Sequence, residues 1–572
     1  MRLSSITRVR NLLPKEPVRD VFFFVICSVI AWLTIIEPIV LSQIIDNASN
    51  NTDALDYYMI ICVVMIFLIR SGLSCWKKSE MLRYRNKCIL ELSSKMVGHL
   101  LRCDIRYFEI WTPAYLVSRV IEEPANIDGV LLCCVLDSLI SILICLVSFS
   151  LMVSKSWVIA ILTLLFVGTD YYIAFKLPLT KVYKAYNETQ AQVKSRTANM
   201  FQGIREIKMG LCYDDEEKNF KEGMKDFLET LFKKSFFSQV QRQTSNICRQ
   251  FGYLLVIVIS AVLISNGEIG IGDLTMLLSL YNLLWSHTGA AENLIPMYKY
   301  GKVTCDRIME VLSAESEICG YDEKCEIGEI RLDGVSFSYR QDQPVLQEIT
   351  LAAKRGNITC LAGYSGCGKS TIISILLGMI RHASGKLLVN EKEVTTESLV
   401  NMRTRVGYVS QEGFLFNRSI RDNLLYYAEN NADNLGLLHD YLKRFSLDTL
   451  VGTLPNGLDT ILGNSSSTIS GGERQRFCLI RELMKKPSVL ILDEGTSHLD
   501  IAIEKLIFDT LREMSSNMIV IQIAHRPSAL LASDIIYLLD EGKVVASGSY
   551  EELQKKSDYF ERLLSTMRNN DD

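Results

Sequence analysis

What this chain lacks narrows its reading before any motif is considered. Its 16 cysteines include no C-x-x-C pair, and several sit inside apolar runs. That pattern excludes a disulfide framework and a zinc framework, and reads as small buried hydrophobes in a reduced compartment. Neither charge sign is in surplus: 61 basic residues against 65 acidic ones leave a formal −4, so nothing marks a nucleic-acid partner. The first apolar run lacks an A-x-A-like site and is long enough to span a bilayer, so no cleavable signal peptide is expected. A length of 572 residues predicts several domains. Hydrophobic residues make up 48% of the chain and the mean hydropathy is +0.17, although 22% of residues are charged. Together these values predict one membrane half and one soluble half.

The membrane half is expected over residues 1–311 and the soluble half over 328–572, with an acidic, aperiodic linker at 312–327 between them. Val21 to Leu41 is long enough to cross a bilayer, and Tyr57 to Ile69 is a weaker second span. Leu131 to Val153 and Trp157 to Ala174 form a close pair. Phe251 to Ser265 and Leu274 to Trp285 form another, which makes six spans. Basic residues cluster before the first span and again between Arg70 and Gly129, whereas the opposite loops carry Asp46, Asp53, Asp56 and Glu268. The N-terminus and everything after the sixth span are therefore expected in the cytosol. The segments after spans two and four are too long for tight loops, so the spans are expected to continue as helices beyond the bilayer. Glu37, Asp137 and Asp170 fall within predicted spans, where an ionisable group is costly. Glu37 and Asp170 lie near span ends and reach an interface on this reading. Asp137 either lines a transport cavity or bonds to a neighbouring helix.

In the soluble half, Gly363-Tyr364-Ser365-Gly366-Cys367-Gly368-Lys369-Ser370-Thr371 fits G-x-x-x-x-G-K-[ST]. The run Ile358 to Ala362 precedes it and Ile372 to Leu377 follows it, which gives the strand, loop and helix that a phosphate cradle needs. Lys369 would reach the β- and γ-phosphates of ATP, and the Ser370 hydroxyl would ligate Mg²⁺. Downstream, Val489 to Leu492 reads as a buried parallel strand ending at Asp493 and Glu494. Two acids at that edge suit metal-nucleotide chemistry, one beside the metal and one beside the attacking water. Taken alone, the same piece reads equally well as a strand ending in a solvated turn.

Between these pieces lies Ile469-Ser470-Gly471-Gly472-Glu473, which resembles the signature of ABC proteins, usually written LSGGQ. With it, the whole chain resembles an ABC transporter half-molecule of the exporter type. The resemblance implies a bundle of six membrane helices with long cytosolic extensions, followed by an α/β P-loop ABC nucleotide-binding domain. It makes Gly363 to Thr371 the Walker A loop and Val489 to Glu494 Walker B. Tyr339 becomes the aromatic that stacks on adenine, Gln411 the Q-loop glutamine beside the metal, Asp500 the D-loop acid and His525 the switch histidine. The nucleotide-contacting set it implies is Tyr339, Gly363, Ser365, Gly366, Cys367, Gly368, Lys369, Ser370, Thr371, Gln411, Ser470, Gly471, Gly472 and Asp500. Ser370, Gln411 and Asp493 are its metal ligands, and Glu494, His525 and Lys369 its catalytic groups. Residues 114–123 and 200–209 resemble the coupling helices, although on periodicity alone either reads as a solvated amphipathic helix.

Because one chain carries one P-loop and one signature, the resemblance implies a dimer with two composite ATP sites. A second copy is the expected partner, a different half-transporter the alternative. The expected function is ATP-driven export of a peptide or amphipathic small molecule by alternating access across a bacterial plasma membrane. The alternatives are a lipid flippase, a multidrug exporter, or an ATP-gated channel or regulator of the same architecture. No amino-terminal cysteine-protease domain fits ahead of Val21, so leader cleavage is not expected. Some positions depart from the family: Ile469 and Glu473 replace Leu and Gln, Gly495 and His498 replace alanines, and Thr460 to Ser466 lacks the acids usual before the signature. Cys367, between two glycines and beside Lys369, is expected to be more reactive than cysteines in the spans. The competing reading is that its thiol points into the fold.

Overall fold

A computed structural model describes residues 5–49, 57–127, 132–317, 326–340, 343–380, 384–394, 402–411, 413–462, 469–493, 501–524 and 526–571. The chain forms two compact units, Met1–Leu101 with Ile110–Ala314, and Arg102–Glu109 with Glu315–Asp572.

The first unit is helical. Among the described residues, four helices are long and apolar enough to cross a membrane: Pro17–Ser49, Tyr57–Leu100, Val135–Lys155 and Tyr213–Ser265. The apolar helix Trp157–Ile173 is shorter, and Leu274 to Trp285 lies within the helix Ile271–Leu312. None of the apolar window of Tyr57–Leu100 is buried, and Val64, Met65, Phe67 and Leu68 are all exposed. A helix that exposes such side chains has lipid as its solvent. This helix runs 44 residues without a break, well past the apolar run at its start. At about 1.5 Å per residue it reaches about 66 Å, twice a hydrocarbon core of about 30 Å. The 53 residues of Tyr213–Ser265 likewise form one rod.

Packing in this unit is set by close approaches at small residues. A Cβ on Gly272 would lie 2.2 Å from the Ser42 carbonyl oxygen, and the Gly272 N–H donates to Asp46 at 2.7 Å. Only glycine lets Ile271–Leu312 pass this close to Pro17–Ser49. Met152, Ile159, Val256, Leu277, Leu280 and Tyr281 form a core shared by four helices. The intramembrane acids find partners: Glu37 pairs with Arg70 at 2.7 Å, Asp137 with Lys77 at 2.5 Å, and Asp170 accepts from Ser245 at 2.9 Å. Asp137 thus bonds to a neighbouring helix, and Glu37 is held by a cation as well as lying near a span end.

The stretch expected as the first coupling helix is a separate helix, Pro113–Ala125, begun by Pro113 at N1 and capped by Thr112. Its Glu123 is buried and takes Arg119 at 2.9 Å and Arg307 at 2.8 Å. The stretch 200–209 is not one helix. Leu179–Gln202 ends there, Gly203 interrupts, and Ile204–Gly210 follows before Leu211 turns left-handed at φ 51°.

The second unit holds two sheets. One has four antiparallel strands in the order β2 (Gln343–Lys354), β1 (Glu329–Arg340), β4 (Ser384–Val389) and β5 (Lys392–Glu393). The other has the order β10 (Lys543–Gly548), β9 (Ile535–Asp540), β3 (Ile358–Ala362), β8 (Ile519–Ile523), β7 (Val489–Asp493) and β6 (Val406–Val409). From β9 to β6 all pairs are parallel, and β10 closes one edge antiparallel. β3 and β8 are buried throughout, as expected for strands covered on both faces.

Candidate functional site

Parallel register aligns the motifs. Leu361 pairs with Ile523, Ile523 with Asp493, and Leu492 with Val409. The ends of β3, β8, β7 and β6 therefore share one edge. Gly363 follows β3 there, Ser410 and Gln411 follow β6, and Asp493 ends β7. This is the carboxyl edge, where α/β sheets bind ligands. Glu494, Asp500 and His525 lie outside the described residues; Glu494 comes directly after β7, and His525 follows Ala524 at the end of β8.

The loop after β3 turns on its glycines. Gly368 has φ +104°, and a Cβ there would meet the Leu346 side chain at 2.5 Å. A Cβ on Gly363 would lie 2.2 Å from the Leu539 carbonyl oxygen. The helix Lys369–Leu376 starts immediately after the loop. Lys369 is buried, and its ammonium donates to the carbonyl oxygens of Gly363 at 2.7 Å and Tyr364 at 3.0 Å. It thereby ties the end of the loop back to its start. Ser365, Gly366 and Ser370 are exposed and Thr371 is buried.

Cys367 departs from expectation. Its side chain is 5% exposed, joins the apolar cluster with Leu346 and Ile372, and would press on a Cβ at Gly363 at 2.8 Å. Its neighbours lack side chains, but the fold behind the loop covers the sulfur. The thiol points inward, where the Lys369 ammonium donates to it at 3.8 Å, so the position asks for a small side chain that the fold covers.

Two further elements complete the edge. Tyr339 is exposed, its ring edge-on to Phe337 at 4.8 Å. Phe337 pairs with Leu346, the residue whose side chain lies nearest Gly368, and Tyr339 follows two residues later on the same strand. Asp493 accepts a hydrogen bond from the Tyr408 hydroxyl at 3.1 Å. Burial and the nearby Asp493 charge push the Tyr408 phenol well up, so it stays a donor.

Ser470 caps the helix Gly471–Met484. Its Oγ accepts from the Glu473 N–H at 3.3 Å, and its own N–H donates to the Glu473 carboxylate at 2.7 Å. Glu473 therefore completes a reciprocal cap that leaves Ser470 and Gly471 exposed at the positive end of the helix dipole. One face of this helix grips the segment after β6. Gln475 donates to the Gln411 carbonyl at 3.0 Å, and Cys478 and Arg481 donate to the Phe414 carbonyl at 3.6 Å and 2.7 Å. Tyr408, Gln475 and Arg481 escaped the reading of the sequence. Their only signal there was polarity within runs that are otherwise buried.

Residues 346–497 match the family described as ABC transporter, and residues 21–287 match the ABC transporter transmembrane region. This chain belongs to the ABC transporters. Within them it is of the exporter type, a transmembrane region and an ABC ATPase in one polypeptide, and it couples ATP hydrolysis to export. A Staphylococcus aureus protein named as a candidate multidrug export ATP-binding/permease protein is 25% identical over 569 residues, covering 95% of this chain and 97% of that one. YwjA of Bacillus subtilis, an uncharacterised ABC transporter ATP-binding protein, is 26% identical over 479 residues and covers 83% of each chain. The solved structure of a bacterial Atm1-family ABC exporter with ATP bound shares the fold, with TM-score 0.80 and 19% identity over 96% of this transporter and 98% of that chain. The transporter is an integral membrane protein that binds nucleotide.

Proposed function

We propose that two copies of this transporter face each other head-to-tail and complete two ATP sites. In each, the loop Gly363 to Thr371 comes from one copy and Ser470, Gly471 and Gly472 from the other. Sheet order carries this reading. The helix of Ser470 packs on β6, and β6 lies three strands from β3. At about 4.8 Å per strand, that is about 14 Å from the chain's own loop, too far for one phosphate group to touch both. A heterodimer with another half-transporter would use the same halves. Six spans, a cytosolic N-terminus and ATPase domain, and a bacterial plasma membrane complete the proposal, with division near 311 and 328.

Within each site the backbone N–H groups of Ser365, Gly366, Cys367 and Gly368 hold phosphate oxygens, and Tyr339 stacks on adenine. Lys369 moves from its loop carbonyls onto the β- and γ-phosphates. The Ser370 hydroxyl, the Gln411 amide and Asp493 are oxygen donors suited to Mg²⁺, which when bound neutralises charge on the phosphates. Glu494 orients the attacking water and accepts its proton, His525 donates to the γ-phosphate, and Asp500 bridges the halves. Closure on two ATP molecules drives the membrane unit from inward- to outward-facing, and hydrolysis resets it. The cargo is a multidrug-type amphiphile or a peptide.

The composite site is tested by oxidising a Ser365→Cys/Ser470→Cys variant in the presence of ATP. The expected product migrates at twice the 64.8 kDa chain mass and is absent from wild type and from either single variant. Cross-linking only within one chain would rule the arrangement out. Tyr408 gives a second expected outcome. Tyr408→Phe removes one donor to Asp493, and a hydrogen bond to a charged group is worth about 1.5–3 kcal/mol before water replaces it. The Mg²⁺ concentration for half-maximal turnover should rise several-fold, by no more than about tenfold, with kcat at saturating Mg²⁺ little changed. An unchanged Mg²⁺ titration would leave Tyr408 a packing residue.

A further inference from the structure

Ionisable side chains beside the apolar stretches of the membrane unit are mostly matched. Glu37 has Arg70, Asp137 has Lys77, Asp170 has Ser245, and Lys155 has Asp273 at 2.7 Å. Arg249 is different. It stands at the start of the apolar stretch Phe251 to Ser265, is exposed, and its guanidinium has no hydrogen-bond or ion-pair partner among the described residues. At this end of the span a long arginine side chain reaches the interface, where an anion can meet it.

A cleft of about 400 Å³ lies at this residue. Arg249, Gln250, Tyr253 and Leu254 line it from the helix Tyr213–Ser265, and Asn282 from the helix Ile271–Leu312. The two helices are held together next to it. The Tyr281 hydroxyl donates to the Arg249 carbonyl at 2.9 Å, and a Cβ on Gly252 would stand 2.3 Å from that hydroxyl oxygen. The Tyr281 side chain is seated directly on the backbone of the facing helix, which pins the two helices beside the cleft. The amides of Gln250 and Asn282 are exposed and, like Arg249, have no hydrogen-bond partner among the described residues. Arg249 supplies one fixed positive charge, two amides supply donors and acceptors, and Tyr253 with Leu254 supplies an apolar wall. The size falls within the range of small-molecule sites.

We propose that this cleft binds the anionic group of an amphiphile, a carboxylate, sulfate or phosphate on Arg249, with the apolar body against Tyr253 and Leu254. Resting on the export reading, this makes the cargo an amphipathic organic anion and moves the candidate substrate contact from Asp137, which Lys77 already neutralises, to Arg249. An anionic lipid headgroup offers the same chemistry.

The test uses the full-length transporter in phosphatidylcholine nanodiscs with three probes: dansyl-undecanoate, its methyl ester and dansyl-undecylamine. Binding is read by dansyl fluorescence. The carboxylate should bind at least about tenfold more tightly than the ester, the value of one charge-assisted hydrogen bond. Arg249→Gln should abolish that preference, Arg249→Lys should keep most of it, and Arg249→Glu should turn it towards dansyl-undecylamine. Size-exclusion profiles check that each variant folds. ATP-dependent uptake of the carboxylate into inside-out proteoliposomes marks it as cargo. Binding without uptake, weakened by added phosphatidylglycerol in wild type but not in Arg249→Gln, marks the occupant as a lipid. Equal binding of carboxylate and ester, or a preference that survives Arg249→Gln, overturns the proposal. ATP turnover by the same vesicles is measured separately: its absence would defeat the export reading and leave the binding result standing.

Discussion

Replacing Glu494 by Gln should lower steady-state ATP turnover by about 10²–10⁴-fold, the range that general-base catalysis contributes. The glutamine is isosteric and still offers an oxygen, so the site keeps its shape and its hold on ATP. What it loses is a group that accepts a proton from the attacking water. Asp493, one residue earlier, cannot substitute, because it ends the strand β7 and already accepts from Tyr408 at 3.1 Å. MgATP affinity is expected to stay within a few-fold of wild type, and ATP should trap the closed dimer, seen as a nucleotide that survives gel filtration. Turnover at the wild-type rate would strip Glu494 of the role.

Lys369→Ala fails at an earlier step. The ammonium is buried and bonded to two loop carbonyls, so its removal costs the loop a brace before any nucleotide arrives. With nucleotide it costs the phosphates their fixed positive charge. Losing one such electrostatic contact lowers turnover by about 10²–10³-fold. Unlike Glu494→Gln, this change should also weaken ATP binding, by about tenfold or more, since the ammonium meets the phosphates already in the ground state. Trinitrophenyl-ATP titration separates the two variants. A Lys369→Ala protein that binds ATP at wild-type affinity would show that the lysine serves the loop and not the ligand.

The sequence was legible where chemistry is local. A glycine-rich turn after an apolar strand dictates its own backbone, so Gly363 to Thr371 could be placed without a structure. The reading of Val489 to Leu492 as a buried strand held for the same reason, since four consecutive apolar residues leave no polar face. Partners from distant segments were not legible. Lys77 and Asp137 stand 60 residues apart and meet only because two helices pack. Cys367 misled because its chain neighbours are glycines, while the apolar cluster that takes it in draws on residues such as Leu346 from another strand. The helix from Tyr57 runs on past Ile69 to Leu100, the extension expected from the length of the segment that follows, since leaving the apolar run does not remove a single backbone hydrogen bond. Gly203 split a predicted helix for the opposite reason, its missing side chain making the helical state costly to hold.

The unbroken rod from Tyr213 to Ser265 contains no proline. Its angular phase is therefore fixed from end to end, like a key cut on a single shaft. One residue inserted below Arg249 would turn everything beyond it by about 100° and lift it by about 1.5 Å. Arg249 would swing off its cleft, and the apolar face of Phe251 to Ser265 would turn away from the packing it now makes. Seven inserted residues would come within about 20° of restoring the phase. The number of residues in this extension is thus constrained as tightly as the identity of any motif, by arithmetic and not by chemistry.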